Sequence, residues 1–226
     1  MLAPGQFLPL ADALDLQIRI DERVLRQACR SALSWSPLVP WPVTVAVNVA
    51  SAHLTAPGFA ESVRGALAES GLPAHLLVLE VTETAVVSDL EVARSTLEQL
   101  SALGVRISID DFGTGYSSML QLRQLPFDKL KIDREFVKGL PHSGDDVAIC
   151  ASVISLANRL GVDAIAEGVE TMQQAGVLAG LGCSYGQGFL WSPALPDVDA
   201  AALLTAPAWR ALPPLTPTTM VRRLLR

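Results

Sequence analysis

Asp110 and Asp111 stand side by side in the run ISIDDFGTGYSS, where an alternating β-branched pattern ends and a glycine-flanked turn begins. Adjacent like charges beside an apolar strand repel each other and lose hydration, a cost that a cation relieves. The GTG that follows lacks bulk and lets the backbone turn sharply, so the second carboxylate can swing in beside the first. Such a pair can bridge two divalent metal ions about 3.5 to 4 Å apart, the arrangement used for in-line attack on phosphodiesters. The structural alternative is a helix N-cap or turn-forming pair.

Other segments offer compatible chemistry. In LEVTET, Glu80 shares a strand face with Thr82, and Glu83 falls at the start of the following loop. Glu80 is a candidate metal ligand and Glu83 is placed to hold a neighbouring loop, although either type of acid also occurs simply exposed at a strand end. Asn48, within VAVNVA, is a neutral oxygen donor or else a buried amide with satisfied hydrogen bonds. Lys131 in KLKID alternates with Leu130 and Ile132 and so faces away from them. Among carboxylates its ammonium would hold a water, a hydroxide or the charge developing on a phosphate; the alternative is a surface lysine. In AEGVE, Glu167 suits the site and Glu170 a supporting or capping role ahead of a helix starting near Thr171. Gln187, between two glycines, could hold a coordinated water or a guanine edge. These are oxygen donors without a histidine or cysteine cluster, which indicates a hard ion, Mg2+ or Mn2+, more than zinc. His53, His75 and His142 lack ligand spacing and read as structural or exposed.

The elements that must position these groups are legible as an alternation. TVAVNV (44–49), LLVLEVTE (76–83), VRISIDD (105–111), KLKID (129–133), DAIAEGVE (163–170) and YGQGFL (185–190) have the look of strands. Between them ERVLRQACRSALSW, FAESVRGALAES, LEVARSTLEQLSAL, VAICASVISLANRL and MQQAGVLAGL repeat apolar residues at three and four, as amphipathic helices do. Strand and helix in turn predict a parallel sheet. Gly71, Gly104, Gly161 and Gly182 follow helical patterns as left-handed C-caps would. In a parallel barrel all strand C-termini open on one face, so Asn48, Glu80, Asp110, Asp111, Lys131, Glu167 and Gln187 would converge there.

Composition sets outer limits. A chain of 226 residues, 50% hydrophobic and 18% charged, fits one sizeable domain with a large core. No run approaches the roughly 18 to 20 apolar residues of a membrane span, and the N-terminus lacks a signal-peptide succession, so a cytoplasmic location is expected. Cys29, Cys150 and Cys183, far apart and without CxxC spacing, read as buried thiols. The net charge of -6 argues against a nucleic acid polymer as partner; an anionic ligand would need metal ions to mediate contact. The proline- and threonine-rich end, with its basic last residues, reads as an extension or linker, dividing the chain into 1–200 and 201–226.

NVA around Asn48, LEVTET, IDDFGTGYSS, LPFDKLKIDREFV, AEGVET and LGCSYGQGFLWSPAL, in this order and at this spacing, resemble the EAL-domain phosphodiesterases of bacterial cyclic di-GMP signalling. The similarity covers about residues 2–195. It implies a TIM-like (β/α) barrel that opens cyclic di-GMP to linear pGpG with two Mg2+ or Mn2+ ions. By motif match, Asn48, Glu80, Asp110, Asp111 and Glu167 would ligate metal, Lys131 would position or deprotonate the attacking water, and Gln187 would bind a coordinated water. Asp133 would be a further site-lining acid, with Glu83 ordering the loop behind the DDFGTG turn. The resemblance also implies dimers and, in a longer protein, an upstream sensory or GGDEF-type domain.

One departure stands out: the family's Glu-Ala-Leu segment, whose glutamate ligates metal, does not occur in these 226 residues. About six strands are expected where a closed barrel has eight. APGQFLPLAD (3–12) resembles the stretch that follows the missing strand, so the expectation is a barrel incomplete at its N-terminus and weak or inactive by itself. The alternative is a non-catalytic module that binds cyclic di-GMP or docks a partner.

Overall fold

The computed structural model describes residues 4–14, 16–113 and 122–206. The distal part of the turn after Gly113, and residues 207–226 of the expected extension, lie outside that range.

Six parallel strands follow one another in the sheet order β1 to β6: Val45–Val49, Leu77–Thr82, Arg106–Phe112, Lys129–Ile132, Asp163–Ala166 and Tyr185–Gly186. With helices between them, this is the α/β topology of a TIM-like barrel with six of its eight strands. β4 is buried throughout and β2 at every position but Thr82. Burial on both faces accounts for their near-continuous apolar runs. The helices lying within the described residues are α1 (Pro4–Ala13), α2 (Gln17–Trp35), α3 (Ser51–Leu54), α4 (Phe59–Ser70), α5 (Glu83–Ser88), α6 (Leu90–Ala102), α7 (Arg134–Lys138), α8 (Gly144–Leu160), α9 (Met172–Gly180) and α10 (Asp197–Thr205). None of these is long and apolar enough to cross a membrane.

The chain divides into two compact units. In the first, which holds Val43–Ile107 and the described part of Met1–Ser34, β1 and β2 pair with Val47 opposite Leu79 and Asn48 opposite Glu80. Leu54, Val63, Leu97 and Leu100 are wholly shielded from solvent in its core. The buried Asp21 of α2 accepts hydrogen bonds from the Ala50 backbone N–H at 2.9 Å and from Gln17 at 3.0 Å. Its carboxylate also meets His53 Nδ1 at 3.3 Å, and the His53 ring lies 4.3 Å from that of Phe59. His53 is therefore the structural histidine that its lack of ligand spacing suggests, while His75 and His142 are exposed.

In the second unit, Lys129 to Ile132 pair with Asp163 to Ala166, and Ile165 and Ala166 with Tyr185 and Gly186. Side-chain caps start three of its described helices: Asp133 accepts from Glu135 N–H at 2.7 Å, and Ser143 from Asp146 N–H at 3.2 Å. Thr171 and Gln174 form a capping box that opens α9. Gly71, Gly104, Gly161 and Gly182 all take positive φ at or just beyond helix ends, as their positions predict. The three cysteines are free and buried, and burial pushes the thiols of Cys150 and Cys183 up to about 11.

Some boundaries differ from expectation. The residues after Thr82 form α5 in place of a loop, because the Thr82 hydroxyl accepts from Ala85 N–H at 3.2 Å and starts a turn. β5 stops at Ala166 and β6 is only two residues long. The glycines at 168 and 188, with φ of 64 and 158, carry the chain out of the ladder there.

Candidate metal centre

The local fold explains how adjacent aspartates serve one site. β3 and β4 pair Ser108 with Lys129 and Ile109 with Leu130, then slip, so that Phe112 meets Ile132. Asp110 and Asp111 thus share the position opposite Lys131, as in a β-bulge. Asp111 takes a left-handed φ of 54, the only non-glycine to do so among the described residues. Aspartate tolerates this better than most residues. The Asp111 N–H donates to Asp110 Oδ1 at 2.8 Å and fixes the bulge. Period-two alternation would send the two carboxylates to opposite faces. The bulge places both beside Glu167, with carboxylate oxygens of all three within 4.8 Å of one another.

Lys131 links the cluster. Its Nζ donates to Asp110 Oδ2 at 2.8 Å and contacts Glu167 Oε1 at 2.5 Å. The residue is only 2% exposed, which rules out the surface-lysine alternative. One ammonium faces Asp110, Asp111 and Glu167, and the charge of Asp133 also acts on Asp111. Burial, and then the charges of Asp110 and Asp133, push the Asp111 carboxyl up; Lys131 partly offsets the rise. A cluster with more carboxylates than cations, offering oxygen donors only, fits a hard divalent ion.

Glu167 is held from both sides. Its N–H donates to the Ile132 carbonyl at 3.1 Å, extending the β4–β5 ladder by one bond. Gly168 follows at positive φ, where a Cβ would lie 2.7 Å from that of Arg134. Gln187 N–H donates to the Ala166 carbonyl at 2.8 Å, and Val169 N–H donates to the Gln187 carbonyl at 3.0 Å. A Cβ on Gly188 would fall 2.2 Å from the Val169 carbonyl oxygen, so only glycine fits this approach. The Gln187 side chain is exposed. Glu170 is also exposed, and its backbone N–H donates to Gln174 at 2.8 Å ahead of the Thr171 cap.

In the first unit, Glu80 is 8% exposed and lies in register with Asn48. Asn48 is exposed, which excludes the buried-amide alternative. Glu83 is 4% exposed at the first position of α5. The structure thus brings Asp110, Asp111, Lys131, Glu167 and Asp133 together, and separately aligns Asn48 with Glu80. The parts that residue-by-residue reading misses are Gly168 and Gly188, whose signal is a glycine next to a candidate polar residue in AEGVE and GQG.

A parallel α/β domain with a carboxylate and lysine cluster at its strand ends is the class of protein that these features define. The chain belongs to the EAL domain family, whose pattern it matches over residues 1–194. It is 45% identical over 196 residues to the Pseudomonas aeruginosa bifunctional diguanylate cyclase/cyclic di-GMP phosphodiesterase MucR, covering 87% of this chain and 29% of MucR. It is 41% identical over 215 residues to the cyclic di-GMP phosphodiesterase NbdA of the same species, covering 95% of this chain and 28% of NbdA. The chain therefore spans less than a third of the length of these curated relatives. Among solved structures, the PaMucR phosphodiesterase in complex with c-di-GMP superposes with a TM-score of 0.85 at 44% identity, covering 88% of this chain and 81% of that one.

Proposed function

We propose that the chain carries a metal-dependent phosphodiesterase centre that hydrolyses cyclic di-GMP to linear pGpG. The observation that carries this reading is the grouping of Asp110, Asp111 and Glu167 around the buried Lys131 in an EAL domain. The names of MucR and NbdA support the substrate.

Asp110, Asp111 and Glu167 would hold Mg2+ or Mn2+, with Glu80 and Asn48 assigned as further ligands by motif match. A bound pair of ions would supply charge stabilisation at the phosphoryl oxygens and a lowered pKa for the attacking water. Lys131, already engaged by two carboxylates, is placed to orient that water and to offset charge on the phosphate rather than to accept a proton. Water adds at phosphorus as the bond to the ribose 3′ oxygen breaks, and that oxygen leaves with a proton. Gln187 and Asp133 would contact water or substrate, and Glu83 and Glu170 would order nearby backbone.

The test is chromatographic detection of pGpG with Mg2+ or Mn2+ present. Asp110→Ala should abolish turnover in a version of the domain that includes the Glu-Ala-Leu segment; unchanged turnover refutes the assignment. The 226-residue chain should turn over weakly or not at all. The second reading is a module that binds cyclic di-GMP without cleaving it. Calorimetric binding without product would support the module.

A further inference from the structure

The outer face of α2 carries a basic stripe that the carboxylate cluster does not use. Arg19, Arg23, Arg26 and Arg30 recur at intervals of four, three and four, which aligns them on one side of a helix. All four are exposed. With Leu16, Ile20, Glu22 and Gln27 they form one open face of the helix. The stripe runs about 16 Å along the helix axis at the usual rise per residue. Arg26 lies 3.6 Å from Glu69, which Arg30 also contacts, whereas Arg19 and Arg23 have no acidic partner among the described residues. Glu22 beside them accepts from the Ser62 hydroxyl at 3.4 Å.

We propose that this arginine face docks an acidic, helix-forming segment of a partner protein whose carboxylates repeat at the same spacing. Guanidinium groups bind carboxylates through paired hydrogen bonds, and a row of them reads a matching row of acids. The chain as a whole carries a charge of -6, so a broad anionic surface such as a bilayer or a duplex meets net repulsion. A narrow acidic ridge lying along the stripe meets mainly the arginines, because screening confines the interaction to about 8 to 10 Å. Nor can α2 insert into lipid by an apolar face, since Leu25, Cys29 and Ala32 are already buried.

The test uses the 226-residue chain and a labelled synthetic helical peptide with glutamates at the four-three-four spacing, read by fluorescence anisotropy at low salt. The peptide should bind, with affinity that falls as salt rises and drops at least about tenfold in the Arg19→Glu/Arg23→Glu variant or with glutamines in the peptide. The variant should keep the parent's unfolding temperature, because both positions are exposed. The proposal is overturned if the glutamate peptide does not bind, or if the double variant binds it equally well. Binding of phosphatidylglycerol vesicles through the same arginines, with the peptide ignored, also overturns it.

Discussion

Lys131 illustrates how a single residue sets the character of the centre. An ammonium 2% exposed is tolerable because Asp110 and Glu167 contact it at 2.8 and 2.5 Å. Removing one partner of a buried ion pair strands the others, so Lys131→Met should lower stability by about 3 kcal/mol as well as turnover. Denaturant titration of this chain, beside the pGpG assay on the version that includes the Glu-Ala-Leu segment, checks both effects. Asp111 makes a second prediction. Its raised carboxyl pKa means that its stability contribution is fully present below the ordinary carboxylate range and is lost as pH rises through the raised value. A divalent ion relieves that loss, so Mn2+ should raise the unfolding temperature more at neutral pH than near pH 4. Asp111→Asn should flatten this difference. The chemistry of both residues is legible in the sequence from type and position. That the two aspartates stand together is also legible, from the glycine-flanked turn after them; the bulge at Asp111 that brings this about is not, because residue types do not encode a register slip.

At the scale of elements, strand positions follow from apolar alternation, and α4 was expected over the same residues that it occupies, Phe59–Ser70. The register slip in β3 and the early exit from β5 depend on backbone conformation at Asp111 and Gly168, which side-chain patterning does not encode. Short α5 and α7 escape notice because helices of six and five residues carry too little periodicity to read. Gly168→Ala combines a positive φ with a 2.7 Å approach to Arg134 and should cost about 1 to 3 kcal/mol. Because it displaces the neighbouring Glu167, it should also weaken Mn2+ binding in calorimetry. Thr171→Ala, which removes the N-cap of α9 and no candidate ligand, should cost about 1 kcal/mol and leave Mn2+ affinity intact.

For the molecule as a whole, family, fold class and the order of the six strands are readable from motifs spread along the chain. The arginine spacing on α2 and the convergence of Lys131 with carboxylates are readable too, whereas the exposure of those arginines and the particular partners of Lys131, Asp110 and Glu167, emerge only from coordinates. Calorimetry and product analysis on the same sample divide enzyme from binding module: cyclic di-GMP binding that persists in Asp110→Ala while pGpG vanishes marks the enzyme. The bulge carries a further consequence for chain length. Two residues of β3 occupy one rung opposite Lys131, so the cluster depends on the parity of the strand. Deleting either aspartate would restore even pairing with Phe112 still opposite Ile132, but it would leave a lone acid on the rung opposite Lys131, whereas exchanging residues in place preserves the count. This stretch should therefore accept substitution far more readily than any change in its number of residues.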